Sequence, residues 1–111
     1  MRKFHRKKGP RRLFTKILAH NLVMNGKIET TDARAREVRP IVERLVTIAK
    51  GQNLPSLRRL YTKLPKVSAN KLYYETAPKF KERKGGYLRI VKTAHHRRRD
   101  GVSTAIVEFV Q

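Results

Sequence analysis

Residues 85–110 read GGYLRIVKTAHHRRRDGVSTAIVEFV, and here the spacing of apolar side chains changes from helical to alternating. Gly85-Gly86 breaks the helical region that precedes it. Over 87–94, Leu88 and Ile90 fall to one side while Tyr87, Arg89 and Val91 fall to the other. Over 102–110, Ala105, Val107 and Phe109 oppose Thr104, Ile106 and Glu108. Between the two runs lies His95-His96-Arg97-Arg98-Arg99-Asp100-Gly101, whose Asp-Gly pair favours a tight turn. The stretch predicts an antiparallel hairpin with a basic tip.

Towards the N-terminus the period is helical. Leu13, Phe14, Ile17, Leu18 and Leu22 recur at spacings that gather them on one face, with Arg12, Lys16 and His20 on another. Asn25-Gly26 supplies a stop, because both residues tolerate the left-handed conformation, and a short extended piece, Lys27 to Thr30, follows. Thr30 or Thr31 can cap a second helix, with Asp32 in its first turn favoured by the helix dipole. Its apolar stripe is Val38, Val42, Leu45 and Ala49, supplemented by Ile41 and Ile48. Pro40 inside that stripe is expected to kink or split the helix, which should end at Lys50-Gly51. Two shorter helices are expected after it. Pro55-Ser56 opens one that buries Leu57, Leu60, Tyr61 and Leu64; Ser68 caps the other, which buries Leu72 and Tyr73 and is interrupted at Pro78. No internal repeat occurs. The pattern predicts one α/β domain of the α+β type: several helices packed on a small mixed sheet with a C-terminal hairpin. Residues 1–10 form a basic extension and 11–111 the folded body.

Charge narrows the partner. The 111 residues hold 28 Lys and Arg against 8 Asp and Glu, a formal net charge of +20. Self-repulsion at this level opposes compactness unless a polyanion is present in the working state, and nucleic acid is the commonest one. Apolar residues make up 39% of the chain and fall in periodic runs, which separates it from a wholly disordered basic tail. With no cysteine, disulfides, thiolate metal sites and thiol catalysis are excluded. His5, His20, His95 and His96 show no metal-ligand spacing, so no metal or other cofactor is expected. No Gly-rich phosphate loop and no paired acid and base propose catalysis, and no apolar stretch approaches a membrane span.

The basic residues fall in two blocks. The first comprises Arg2, Lys3, His5, Arg6, Lys7, Lys8, Arg11, Arg12 and Lys16; the second runs from Lys79 through Lys81, Arg83, Lys84, Arg89 and Lys92 to Arg97, Arg98 and Arg99. Arg matches phosphate with a planar fork and Lys adds a point charge. Tyr87 belongs with the second block as an RNA-contacting residue, whereas Tyr61, Tyr73 and Tyr74, at helical spacing, are read as core. Motifs that read bases, such as an RNP-type aromatic strand, GXXG or zinc-finger spacing, are missing. Contacts are therefore expected mainly to the backbone of folded RNA. A DNA-architectural protein and a membrane-active basic protein are the competing classes that composition permits. The second helix, least basic of the body, is read as mainly structural.

Several short strings, in order along nearly the whole chain, resemble the bacterial large-subunit ribosomal protein L17 family. They are His5-Arg6-Lys7-Lys8-Gly9, Asn21-Leu22, Ile28-Glu29-Thr30-Thr31, Ala33-Arg34-Ala35-Arg36-Glu37 and Arg39-Pro40 with Glu43 and Leu45. Lys71-Leu72, Ala77-Pro78, Gly85-Gly86-Tyr87, Arg89-Ile90 and Ala105-Ile106-Val107-Glu108 continue the match. The chain departs from the family where Arg12-Leu13-Phe14 replaces a Ser-Ser-His stretch, at Leu88 in place of Thr, and in a hairpin loop one residue longer. The resemblance implies several helices on a small sheet, docked on large-subunit ribosomal RNA beside neighbouring ribosomal proteins on the outer side of the subunit, towards the peptide tunnel exit. It implies no catalysis, no cofactor, no small-molecule substrate, no membrane and no required homo-oligomer, in the cytoplasmic ribosome of a bacterium. A basic start is the family's own mature N-terminus, which answers the alternative of a cleaved presequence.

Overall fold

A computed structural model describes residues 8–96 and 101–110, apart from the side chains of Lys8 and of residues 94–96. Helix α1 (Lys8–Asn25) begins three residues before the predicted start at Arg11. Gly9 and Pro10 thus lie in its first turn, where the missing N–H of proline would have had no helical partner. The helix stops at Gly26, whose φ of 80° reverses the chain while its N–H still donates to the Leu22 carbonyl at 2.8 Å.

The face that α1 buries differs from the predicted one. Thr15, Ala19, Leu22 and Val23 go inside, and Leu18 is partly buried, whereas Leu13 and Ile17 are 59% and 49% exposed. Thr15 and Ala19 are small enough for α1 to approach its neighbours closely, so the stripe that packs is not the stripe of largest side chains. Thr15 is satisfied inside by donating to the carbonyls of Arg11 and Arg12.

Strand β1 (Lys27–Thr31) leads directly into α2 (Asp32–Ala49). Of the two possible caps, Thr31 is used: its backbone is extended and its Oγ1 accepts from the Arg34 N–H at 3.3 Å. The helix passes through Pro40 without dividing. Pro40 and Arg36 are both exposed, so water can serve the Arg36 carbonyl that loses its helical donor. Ala35, Val38, Val42, Leu45, Val46 and Ala49 are buried, with Ile41 and Ile48 packed at the margin. This stripe makes α2 the centre of the fold: it lies against all three strands, α1 and α3.

Helix α3 (Leu54–Lys63) is capped by Asn53, which accepts from the Ser56 N–H, and buries Leu57 and Leu60, with Leu64 buried just beyond its end. Helix α4 (Lys66–Lys71) follows Pro65; Ser68 lies within it, donating to the Pro65 carbonyl, and does not cap it. The chain then loosens into a π-helical turn, Leu72–Thr76, and a 3-10 turn, Ala77–Phe80. Tyr61 and Tyr73 are half-buried, as read, but Tyr74 is 62% exposed.

Strands β2 (Leu88–His96) and β3 (Ser103–Phe109) form the expected hairpin. The sheet has the order β1-β3-β2 and is antiparallel throughout, which corrects the mixed sheet predicted. The reason lies in β1: it runs opposite to β3 on the edge that β2 leaves free, pairing Lys27 with Glu108 through to Thr31 with Thr104. Ile28, Val107 and Ile90 form one cross-strand row on the helix side, next to the buried Ala105 and Leu88. On the other face Lys27, Glu108 and Arg89 form a second row.

A candidate nucleic-acid interface

The second basic block, continuous in sequence, is divided by the fold. Lys81, Arg83 and Lys84 are exposed on the loop before β2. The far end of β2 lies about 25 Å away along the strand, given a rise of about 3.3 Å per residue. Arg89 and Lys92 lie between but project to opposite faces, because alternate residues alternate sides. Arg89 shares its row with Glu108, and its Nε stands 2.6 Å from that carboxylate. Lys92 is exposed and makes no ion pair among the described residues.

Arg83 is partly engaged. Its Nε donates to the carbonyls of Gly85 and Gly86 at 3.3 and 3.2 Å, and its own carbonyl accepts from the Lys50 ammonium. Gly86 takes a φ of 63° in this turn, which only glycine adopts without strain. The turn carries Tyr87 inward, only 2% exposed, onto Phe80 at 5.3 Å between ring centroids. The expectation that Tyr87 contacts RNA is therefore corrected. The strand begins at Leu88, so the alternation that assigned Tyr87 to the outer face does not extend to it. Its ring is core.

In the first block, Arg12 is exposed, Lys16 half-buried, and the half-buried Arg11 has its Nε enclosed without a hydrogen-bond acceptor. Arg2, Lys3, His5, Arg6, Lys7, Arg97, Arg98 and Arg99 lie outside the described residues, as does the side chain of Lys8.

To two cations of the first block the fold adds three that belong to neither. Arg12 and Lys16 of α1, Arg44 of α2, and Arg59 and Lys63 of α3 surround one cleft of about 670 Å³. No carboxylate lines it among the described residues. Arg12 and Lys16, and likewise Arg59 and Lys63, are one helical turn apart, which was a usable signal. The meeting of the three helices was not visible in the spacing.

Elsewhere the carboxylates are used locally. Asp32 pairs with Arg36 at 3.2 Å and Glu43 with Arg39 at 3.4 Å, both along the surface of α2. Among the described residues, no group of three or more His, Asp or Glu is placed to hold a metal ion, and no helix is long and apolar enough to cross a membrane. What remains is a small α+β body with many of its cations exposed.

Comparison with known proteins narrows the class. The family model described as ribosomal protein L17 matches residues 14–110. The large ribosomal subunit protein bL17 of Sulfurihydrogenibium sp. (strain YO3AOP1) is 47% identical over 109 residues, covering 97% of this chain and 90% of that protein. Its namesakes in Persephonella marina (strain DSM 14350 / EX-H1) and Campylobacter jejuni subsp. jejuni serotype O:2 are each 46% identical over 110 residues, covering 97% and 98% of this chain and 89% and 93% of theirs. The chain belongs to the ribosomal protein L17 family. Membership makes it a ribosomal protein and not an enzyme.

Proposed function

We propose that this chain is a structural constituent of the large ribosomal subunit of a bacterium, working in the cytoplasmic ribosome. It binds and stabilises folded ribosomal RNA, mainly through phosphates, and thereby supports translation. One observation carries the reading: exposed cations far exceed the carboxylates available to neutralise them. Lys79, Lys81, Lys84 and Lys92 are exposed and make no ion pair among the described residues, and the whole chain keeps a formal charge of +20. Phosphates of converging RNA segments would relieve that repulsion, with counterion release adding to affinity. Arg12, Lys16, Lys81, Arg83, Lys84 and Lys92 are the described residues assigned to this contact, and neighbouring large-subunit proteins are its protein partners. Arg89 contributes less, being held by Glu108.

The reading is tested by sedimentation and by salt titration. The protein should remain with large subunits through a high-salt wash that removes loosely held factors. If about eight phosphates are neutralised, log K against log salt should fall with a slope of roughly −6 to −7 on a ribosomal RNA fragment. Equal affinity for random duplex DNA, or a protein found mostly free of subunits, would reject it.

A further inference from the structure

The cleft between α1, α2 and α3 has a composition that phosphate binding alone does not require. Its floor is apolar, built from the buried Ala19 and Leu45 and the half-buried Ile41 and Ile48. Its rim is cationic on every side, and none of Arg12, Lys16, Arg44, Arg59 and Lys63 makes an ion pair among the described residues. The hydroxyls within it are committed. Thr15 donates to Arg11 and Arg12, Thr47 to Glu43 and Thr62 to Arg59, in each case to a carbonyl of its own helix.

We propose that this cleft seats an unstacked nucleotide of RNA, its base against the apolar floor and its flanking phosphates on the five cations. The inference rests on the RNA-binding reading above and deepens it. A nucleotide alternates a flat apolar face with a phosphate, which is the alternation of floor and rim. A regular duplex keeps its bases stacked inside, so it could use the rim but would leave the floor covering nothing. Continuity also favours RNA: the α1 edge of the cleft belongs to the basic block that opens the chain, so one strand can follow both. With the threonine protons already given to helix carbonyls and the cations taken by phosphate, few groups of the cleft are left to donate to a base edge. It should accept any base by packing its face on the aliphatic floor, and hold the nucleotide by charge.

The experiment uses the lack of cysteine in this chain. Thr62→Cys on α3, and separately Thr47→Cys on α2, each carry a single benzophenone on the full-length protein, which is assembled into large subunits and irradiated. The expected result is a crosslink to one short RNA segment whose nucleotides are unpaired. In subunits that have incorporated it, the label together with Arg44→Ala, Arg59→Ala and Lys63→Ala should crosslink at least about tenfold less. Without the label, the same triple variant should lower the salt slope on that RNA segment by up to about 1.4, as the two flanking single-strand phosphates require, with unchanged helical circular dichroism. Crosslinks to protein alone, to paired nucleotides alone, or to nothing in subunits that contain both labelled forms would overturn the inference and leave the RNA-binding reading standing. An unchanged crosslink in the triple variant would do the same. Failure of the unlabelled protein to enter subunits would overturn both.

Discussion

The Lys50 ammonium donates to the Tyr87 hydroxyl at 3.1 Å and stands 5.0 Å from the centroid of the same ring. Through this pair the end of α2 is tied to the Gly85-Gly86 turn, because Lys50 also donates to the Arg83 carbonyl. Tyr87 is thus a fastening between helix and hairpin. Tyr87→Phe should cost about 1 kcal/mol of stability, the net value of one hydrogen bond. Tyr87→Ala should cost about 3–5 kcal/mol, as for other buried aromatics. Urea denaturation measures both. RNA affinity of the folded Phe variant should match the parent; a loss of affinity at unchanged stability would place the ring against RNA.

The inward face of α1 is tested by two leucines. Leu22 is fully buried, so Leu22→Ala should destabilise by about 2–5 kcal/mol. Leu13 is 59% exposed, and Leu13→Ala should change stability by less than about 0.5 kcal/mol in the free protein. Thermal melting of the pair distinguishes the observed face from the one that the large apolar residues suggested. Equal losses would mean that both stripes are covered.

Thr31 ends β1 and caps α2, so one residue serves two elements. Thr31→Ala should cost about 1 kcal/mol through the lost cap, while Thr31→Asn or Thr31→Asp should retain most of that stability. Equilibrium unfolding in urea checks this. A Thr31→Ala variant as stable as the parent would show that the 3.3 Å contact to Arg34 contributes nothing.

Arg89 and Glu108 make a charge experiment possible without touching the core. The pair is exposed on the arginine side, so Glu108→Gln should change stability by less than about 1 kcal/mol. It releases Arg89, and binding to folded ribosomal RNA should strengthen, with the salt slope growing by up to about 1. Arg89→Ala alone should weaken binding less than Lys92→Ala does. Filter binding across a salt series reads both, and the reverse order for the two alanine variants would show that Arg89 leaves Glu108 for phosphate.

Much of the architecture was readable because it is governed by neighbours in the chain. Alternation in 88–91 and 104–109 marked both strands, Gly26 marked the end of α1, and the Val38, Val42, Leu45 and Ala49 stripe marked the inward side of α2. The candidate interface was less legible. The charge led to the expectation of a polyanionic partner, but a run such as Lys79 to Lys92 has no face until the strand within it alternates sides.

By itself, then, the sequence determined most of the element types, the hairpin and the net charge that leads to the expectation of a polyanion, since periodicity, turn chemistry and net charge act locally or by simple sum. Only the tertiary structure decided which stripe of α1 turned inward, that β1 would close an antiparallel sheet on β3, and that Tyr87 would serve the core. It also decided that Arg12, Arg44 and Arg59, on three different helices, would face one apolar floor. Those outcomes depend on which elements approach closely enough to pack, and close approach was allowed by small residues such as Thr15 and Ala19, which carry little signal in a hydrophobic pattern.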